Sequence, residues 1–226
     1  MEQTISKSVI IVAGGSGSRM ASEIPKQFLL LAGRPALMHT IQKFYNCFSE
    51  IKIVLVLPFH HIELWNRLIS EHRFFIQHQV VAGGRERFFS VKNGLKMIND
   101  GGLVAIHDGV RPLVSDEVII KSFQIAQAYG CAVPVISPAE SLRKLENGSS
   151  YPANRENYRL VQTPQTFNNA LLKKAYQQPW DKKFTDDATV FEADKNKIHL
   201  FDGNRENIKI TWPSDIYFAE AMMKII

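Results

Sequence analysis

Val9-Ile10-Ile11-Val12-Ala13 runs straight into Gly14-Gly15-Ser16-Gly17-Ser18-Arg19-Met20, and this junction decides the fold. A continuous β-branched run that stops at glycine is how a strand buried on both faces of a parallel sheet reads, because neither face meets water. Pro35 then opens a segment with Leu37, Ile41, Phe44 and Phe48 at three-to-four spacing, an amphipathic helix with proline at its first turn. Ile51–Leu57 reads as a second buried strand and completes a strand–helix–strand unit.

The alternation continues with a helix near Ile62–Ser70, a short strand near Gln77–Val81, a helix through Val91, Leu95 and Ile98, and a strand over Leu103–His107. Ser115 before Asp116-Glu117 is an N-cap with an acidic first turn, Gly130 stops that helix, and Ala132–Ile136 is the next strand. Helices near Asn169–Tyr176, Asp186–Ala193 and Ser214–Ile226 follow. The pattern predicts one α/β domain over residues 1–226, a Rossmann-like, doubly wound and mostly parallel sheet with ligands at the strand carboxyl ends. Only Ser137–Gln162 breaks the rhythm. Two strands around Asn147-Gly148 are expected there, a β-hairpin arm, and because a lone hairpin is barely stable in water it is expected to rest on a second subunit.

Composition narrows the function classes. The 226 residues carry 27 Lys+Arg against 22 Asp+Glu, a net charge of +5, and 45% hydrophobic residues, which is ordinary for a globular chain. No apolar run approaches the ~20 residues a bilayer span needs, and Met1–Ser8 has no apolar core, so a cytoplasmic protein without membrane contact is expected. The surplus of basic residues suits nucleic acid, but these residues are dispersed, with no run longer than a pair, and small anionic ligands explain the surplus equally well; no nucleic-acid partner is expected. Cys47 and Cys131 form neither a disulfide framework nor a zinc pattern, and the adjacent His60-His61 read as a surface pair.

The glycines after the first strand let the backbone approach a ligand and aim several N–H groups at one anion, and phosphate is the obvious guest. Met20 stands where a dinucleotide fingerprint needs glycine, and no Gly-Lys-Ser/Thr occurs for a Walker loop. Arg19 and Lys26 add two fixed cations, more than a turn requires.

Gly-Gly-x-Gly-x-Arg-Met followed by Pro25-Lys26-Gln27-Phe28 resembles the opening of the sugar-phosphate cytidylyltransferases. His107-Asp108-Gly109-Val110-Arg111-Pro112, Gln162-Thr163-Pro164-Gln165-Thr166-Phe167, Thr185-Asp186-Asp187-Ala188 and Asn207-Ile208-Lys209-Ile210-Thr211 match in order, so the resemblance spans nearly the whole chain. It implies transfer of CMP from CTP to a polyol phosphate with release of pyrophosphate. The acceptor implied is 2-C-methyl-D-erythritol 4-phosphate, of non-mevalonate isoprenoid synthesis, with ribitol 5-phosphate as the alternative; a non-catalytic nucleotide- or RNA-binding protein of this fold is the alternative from another class.

The same resemblance implies roles. Arg19, Lys26 and Lys209 are the catalytic cations. Ala13, Gly14, Gly15, Gly17, Gly84 and Ser90 meet the nucleotide, and Mg²⁺ bridges the triphosphate with Asp108 at the metal end. Asp108, Arg111, Thr163 and Thr185, with Ser141 and Arg155 from the arm of the other subunit in a homodimer, bind the polyol phosphate. Read without the resemblance, the lesser alternatives are a turn or capping carboxylate for Asp108 and solvated strand charges for Arg143, Lys144, Arg155 and Arg159, while Thr185 serves equally as an N-cap. The sequence departs from the family pattern in one loop, where Arg85 replaces a commonly acidic residue and Phe88-Phe89 replaces smaller ones.

Overall fold

The computed structural model describes residues 5–15, 24–99 and 101–225. Strands β1 (Lys7–Val12), β4 (Lys52–Leu57), β5 (Gln79–Ala82), β6 (Leu103–Asp108), β7 (Cys131–Ile136), β10 (Leu160–Val161), β11 (Gln165–Asn168) and β12 (Leu200–Asp202) form one sheet. Its order is β10-β7-β11-β6-β1-β4-β5, with β12 beside β7. Two small hairpins, β2 (Leu30–Leu31) with β3 (Arg34–Pro35) and β8 (Leu142–Glu146) with β9 (Ser149–Ala153), stand outside it. Helices α1 (Ala36–Cys47), α2 (Ile62–Glu71), α3 (Arg87–Leu95), α4 (Asp116–Tyr129), α5 (Asn169–Ala175), α6 (Asp187–Ala193) and α7 (Pro213–Met222) complete the fold.

The β-branched run behaves as its composition demands. Val9 and Ile11 point into a core shared with α1, α2 and α4, while Ile10 and Val12 point into a second core with α3, α5 and α6. Successive strand residues face opposite sides, so a strand covered on both faces must be apolar throughout. Each such side chain removed from water contributes about 1.5–3 kcal/mol. β1 pairs in parallel with β4 and with β6, and β4 with β5. The chain spreads to one side of β1 through β4 and β5, then returns to its other side as β6. That reversal opens a crevice beyond the carboxyl ends of β1 and β6, where Val12 lies opposite Asp108.

Several local signals are met. Ser115 accepts from the Val118 N–H at the start of α4, and Gly130 closes that helix at φ 86°. The arm turns at Asn147 (φ 49°) and Gly148 (φ 75°), the left-handed pair a two-residue hairpin turn needs. The expected arm Ser137–Gln162 is shorter in the structure. Leu160–Val161 rejoins the main sheet antiparallel to β7, and Gln162 is buried, because the returning chain satisfies the free edge of β7. The larger difference is β11, read above only as a motif. It is antiparallel to both β6 and β7 and separates two strands that sequence order makes neighbours. Its buried Gln165 and Thr166 hide it from an apolar pattern, since they are stabilised by hydrogen bonds to Asp186, the Ala188 N–H and Ser122.

Both cysteines are free, with Cys131 buried and Cys47 half-buried. No helix among the described residues is long and apolar enough to cross a membrane.

Candidate active site

A cleft of about 330 Å³ lies at the crevice between β1 and β6. The end of β1 contributes Val12, Ala13, Gly14 and Gly15; the β5–α3 loop and first turn of α3 contribute Gly84, Arg85, Glu86, Arg87 and Ser90. Asp108 ends β6, and Lys26, Gln27 and Lys209 close the remaining side.

Lys26 sits on a single 3₁₀ turn, Lys26–Phe28, opened by Pro25. The residue is only 8% exposed, and Nζ donates to the Ile210 carbonyl at 3.0 Å. Gln27 Nε2 donates to the Ala13 carbonyl at 3.0 Å, which ties this turn to the end of β1. Lys26 and Lys209 therefore meet at one cleft although most of the chain separates them.

Asp108 is the electrostatic centre. Lys209 Nζ lies 3.0 Å from its Oδ2, Arg111 Nε 3.3 Å from the same oxygen, and Arg87 Nε 3.7 Å from Oδ1. Burial opposes ionisation, but Lys209, Arg87 and Arg111 outweigh it and hold the carboxyl well below the usual carboxylate range. Beneath it, the Asp108 N–H donates to Thr163 Oγ1 at 3.1 Å. Thr163 and His107 Nδ1 are 3.1 Å apart, and His107 Nε2 lies 3.2 Å from the Arg111 carbonyl. A carbonyl only accepts, so Nε2 carries the ring proton and the Thr163 hydroxyl donates to Nδ1. Complete burial of this neutral imidazole lowers its pKa from 6.5 to about 4.

Arg87 and Asp187 are the site residues that sequence reasoning missed. Arg87 Nη2 pairs with Asp187 Oδ2 at 2.7 Å, and the fully buried Asp187 accepts from the Tyr176 hydroxyl at 2.6 Å. Burial and the Asp187 charge push the Tyr176 hydroxyl well above its usual range. The pair Asp186-Asp187 marks a helix start, with Asp186 capping α6, but the direction in which Asp187 faces is set by its distant partner Arg87.

A family model described as 2-C-methyl-D-erythritol 4-phosphate cytidylyltransferase matches residues 7–225. The chain belongs to this family. The 2-C-methyl-D-erythritol 4-phosphate cytidylyltransferase of Bacteroides thetaiotaomicron is 48% identical over 217 residues, covering 96% of this chain and 99% of that protein. Among solved structures, the 4-diphosphocytidyl-2C-methyl-D-erythritol synthase of Anaerococcus prevotii matches with a TM-score of 0.82 at 26% identity, covering 97% of this chain and 99% of that one. The 2-C-methyl-D-erythritol 4-phosphate cytidylyltransferase of Thermus thermophilus matches at 0.77 and 29% identity, covering 98% and 100%.

For this member of the family, the structure brings Ala13, Gly14, Gly15, Lys26, Gly84, Ser90, Asp108 and Lys209 to one cleft. Gly17 and Arg19 lie outside the described residues. Arg111 and Thr163 stand behind the cleft wall: Arg111 braces Asp108 and the Asn207 carbonyl, and Thr163 serves His107 and the Asp108 amide. Thr185 is exposed and is not the cap of α6; that role belongs to Asp186, which accepts from the Thr189 N–H. Ser141 and Arg155 are exposed at the root of the arm, outside the cleft lining of their own chain. Arg155 Nη1 donates to the Ala139 carbonyl at 2.7 Å.

Proposed function

We propose that this cleft is where the chain joins the CMP moiety of CTP to 2-C-methyl-D-erythritol 4-phosphate, giving 4-diphosphocytidyl-2-C-methyl-D-erythritol and pyrophosphate for non-mevalonate isoprenoid synthesis. The observation that carries the assignment to these residues is the meeting of Lys26 and Lys209 at one cleft beside a glycine-rich strand end.

The chemistry asks for no general base. A phosphomonoester, with a second pKa near 6, is largely dianionic at pH 7, so its oxygen attacks the α-phosphorus as it stands. A new P–O bond forms, the bond to the β-phosphate bridging oxygen breaks, and pyrophosphate carries away the negative charge. What the protein supplies is in-line placement and positive charge where charge crowds, worth roughly 3–4 kcal/mol for one preorganised donor. Lys26, withdrawn from water, keeps its field unscreened in the cleft. Lys209, held at Asp108, adds a second cation to the same cleft, where it can pair with the acceptor phosphate. Gly14, Gly15 and Gly84 leave room for the nucleotide, and the Ser90 hydroxyl fixes the Gly84 N–H at 3.1 Å.

Mg²⁺ fits this donor set in one way. Asp108 offers a hard carboxylate oxygen, yet three cations already surround it, and among the described residues no three metal-ligating side chains cluster. The ion would be held chiefly by triphosphate oxygens, with Asp108 beside it, and would neutralise the departing pyrophosphate.

The reading extends to a homodimer. Among the described residues the β8–β9 hairpin pairs only with itself, with Leu145 79% exposed and Tyr151 also exposed, and Ser141 and Arg155 sit at its root away from their own cleft. Delivery of Arg155 into a partner's cleft accounts for this arrangement. Pyrophosphate release from CTP, measured with each polyol phosphate and with neither, tests the function. Release with 2-C-methyl-D-erythritol 4-phosphate alone is expected; equal rates with ribitol 5-phosphate, or none with either, would overturn it.

A further inference from the structure

We propose that Arg85 is a positioning residue for the nucleotide: its guanidinium lies on the Phe89 ring and against Trp180, and so clamps the β5–α3 loop to the connection between α5 and α6. The inference rests on the reading of the cleft as the CTP site.

The loop that carries Arg85 is one wall of that cleft. Arg85 Cζ lies 4.9 Å from the Phe89 ring centroid and 5.8 Å from that of Trp180. The two rings are themselves 6.4 Å apart and inclined at 35°, so a planar guanidinium meets both. Phe89 in turn sits directly behind Gly84, where a Cβ would come within 2.3 Å of the Phe89 Cβ. Phe89 is thus packed close behind Gly84, which lines the cleft, so the ring that Arg85 holds is also the backing of the cleft wall.

A second tie runs in parallel. Arg87, the first residue of α3, pairs with Asp187, the first residue of α6 where the same connection ends, while Arg85 reaches Trp180 nearer its start. Arg87 is anchored to a buried carboxylate. Arg85 makes its contacts at the rim, through rings, where a charge keeps its hydration and a clamp can still yield when a ligand enters. This assigns a purpose to Arg85 and Phe89 together, since each is the other's partner beside the cleft.

The test uses the full-length protein with Arg85→Met, Arg85→Lys, Trp180→Leu and the Arg85→Met/Trp180→Leu pair. Loss of an exposed cation–ring contact corresponds to about a two- to fivefold weakening. Arg85→Met and Trp180→Leu should each raise the CTP Kd, by calorimetry, and the KM for CTP by that factor, with kcat and the KM for the polyol phosphate changed less than twofold. The double variant should be no worse than the poorer single one, and Arg85→Lys should recover part of the loss. Additive losses, or an unchanged CTP Kd in Arg85→Met, would overturn the clamp alone. Failure of the unsubstituted protein to bind CTP would overturn the clamp together with the reading of the cleft.

Discussion

The ammonium of Lys26 donates to the Ile210 carbonyl at 3.0 Å, across 184 residues of chain, and so places the Lys26–Phe28 turn beside the residue that follows Lys209. Two segments at opposite ends of the sequence are thus assembled into one cationic wall.

Lys26→Ala and Lys209→Ala should each lower turnover by about a hundredfold or more, the scale of one lost transition-state donor. Lys209 is half exposed, so its variant should melt within a few degrees of the parent. Pyrophosphate release and thermal unfolding check both, and near-normal turnover in Lys26→Ala would remove Lys26 from the mechanism.

His107 makes stability depend on pH. Its folded value, about 4, lies below the unfolded value of 6.5, so on acidification the unfolded chain takes up the proton first. The contribution is whole above about pH 6.5 and is lost between there and about pH 4, roughly 3 kcal/mol in all. Urea unfolding of the parent and of His107→Asn across that range should show a steeper fall in the parent.

Arg87→Met strands the buried Asp187 without its cation, and removal of one partner from a buried pair costs about 3–5 kcal/mol. Urea unfolding should register that loss, and Arg87→Lys should recover part of it. Equal stability of Arg87→Met and parent would show that Asp187 does not need the pair.

Gly84→Ala puts a methyl into the Phe89 side chain, an overpacking of about 1–3 kcal/mol. The loop must shift, so the KM for CTP should rise and the melting temperature should fall by several degrees. An unaltered KM for CTP would mean that the position of Gly84 does not matter to the nucleotide.

Arg155→Ala should raise the KM for the polyol phosphate while sparing that for CTP, since the residue lies on the arm and outside its own cleft. Mixed dimers of Arg155→Ala and Lys26→Ala subunits should regain about one intact site if the arm crosses to the partner. No regained activity would assign both residues to one subunit's site.

Sequence alone determined the elements that depend on neighbouring residues. The apolar run of β1, the Ser115 cap, the Gly130 stop and the Asn147-Gly148 turn follow from side-chain period and backbone freedom, which act over a few residues. The glycine-rich strand end and the lysines were legible for a similar reason, because charge and missing side chains are written in the residue types. Tertiary structure decided the rest. That β11 lies between β6 and β7, that Asp187 faces inward to Arg87, and that Thr163 turns to His107 while Asp186 takes the cap expected near Thr185, are matters of which distant groups meet. Buried polar groups satisfy one another across the fold, and no periodicity along a chain records the partner.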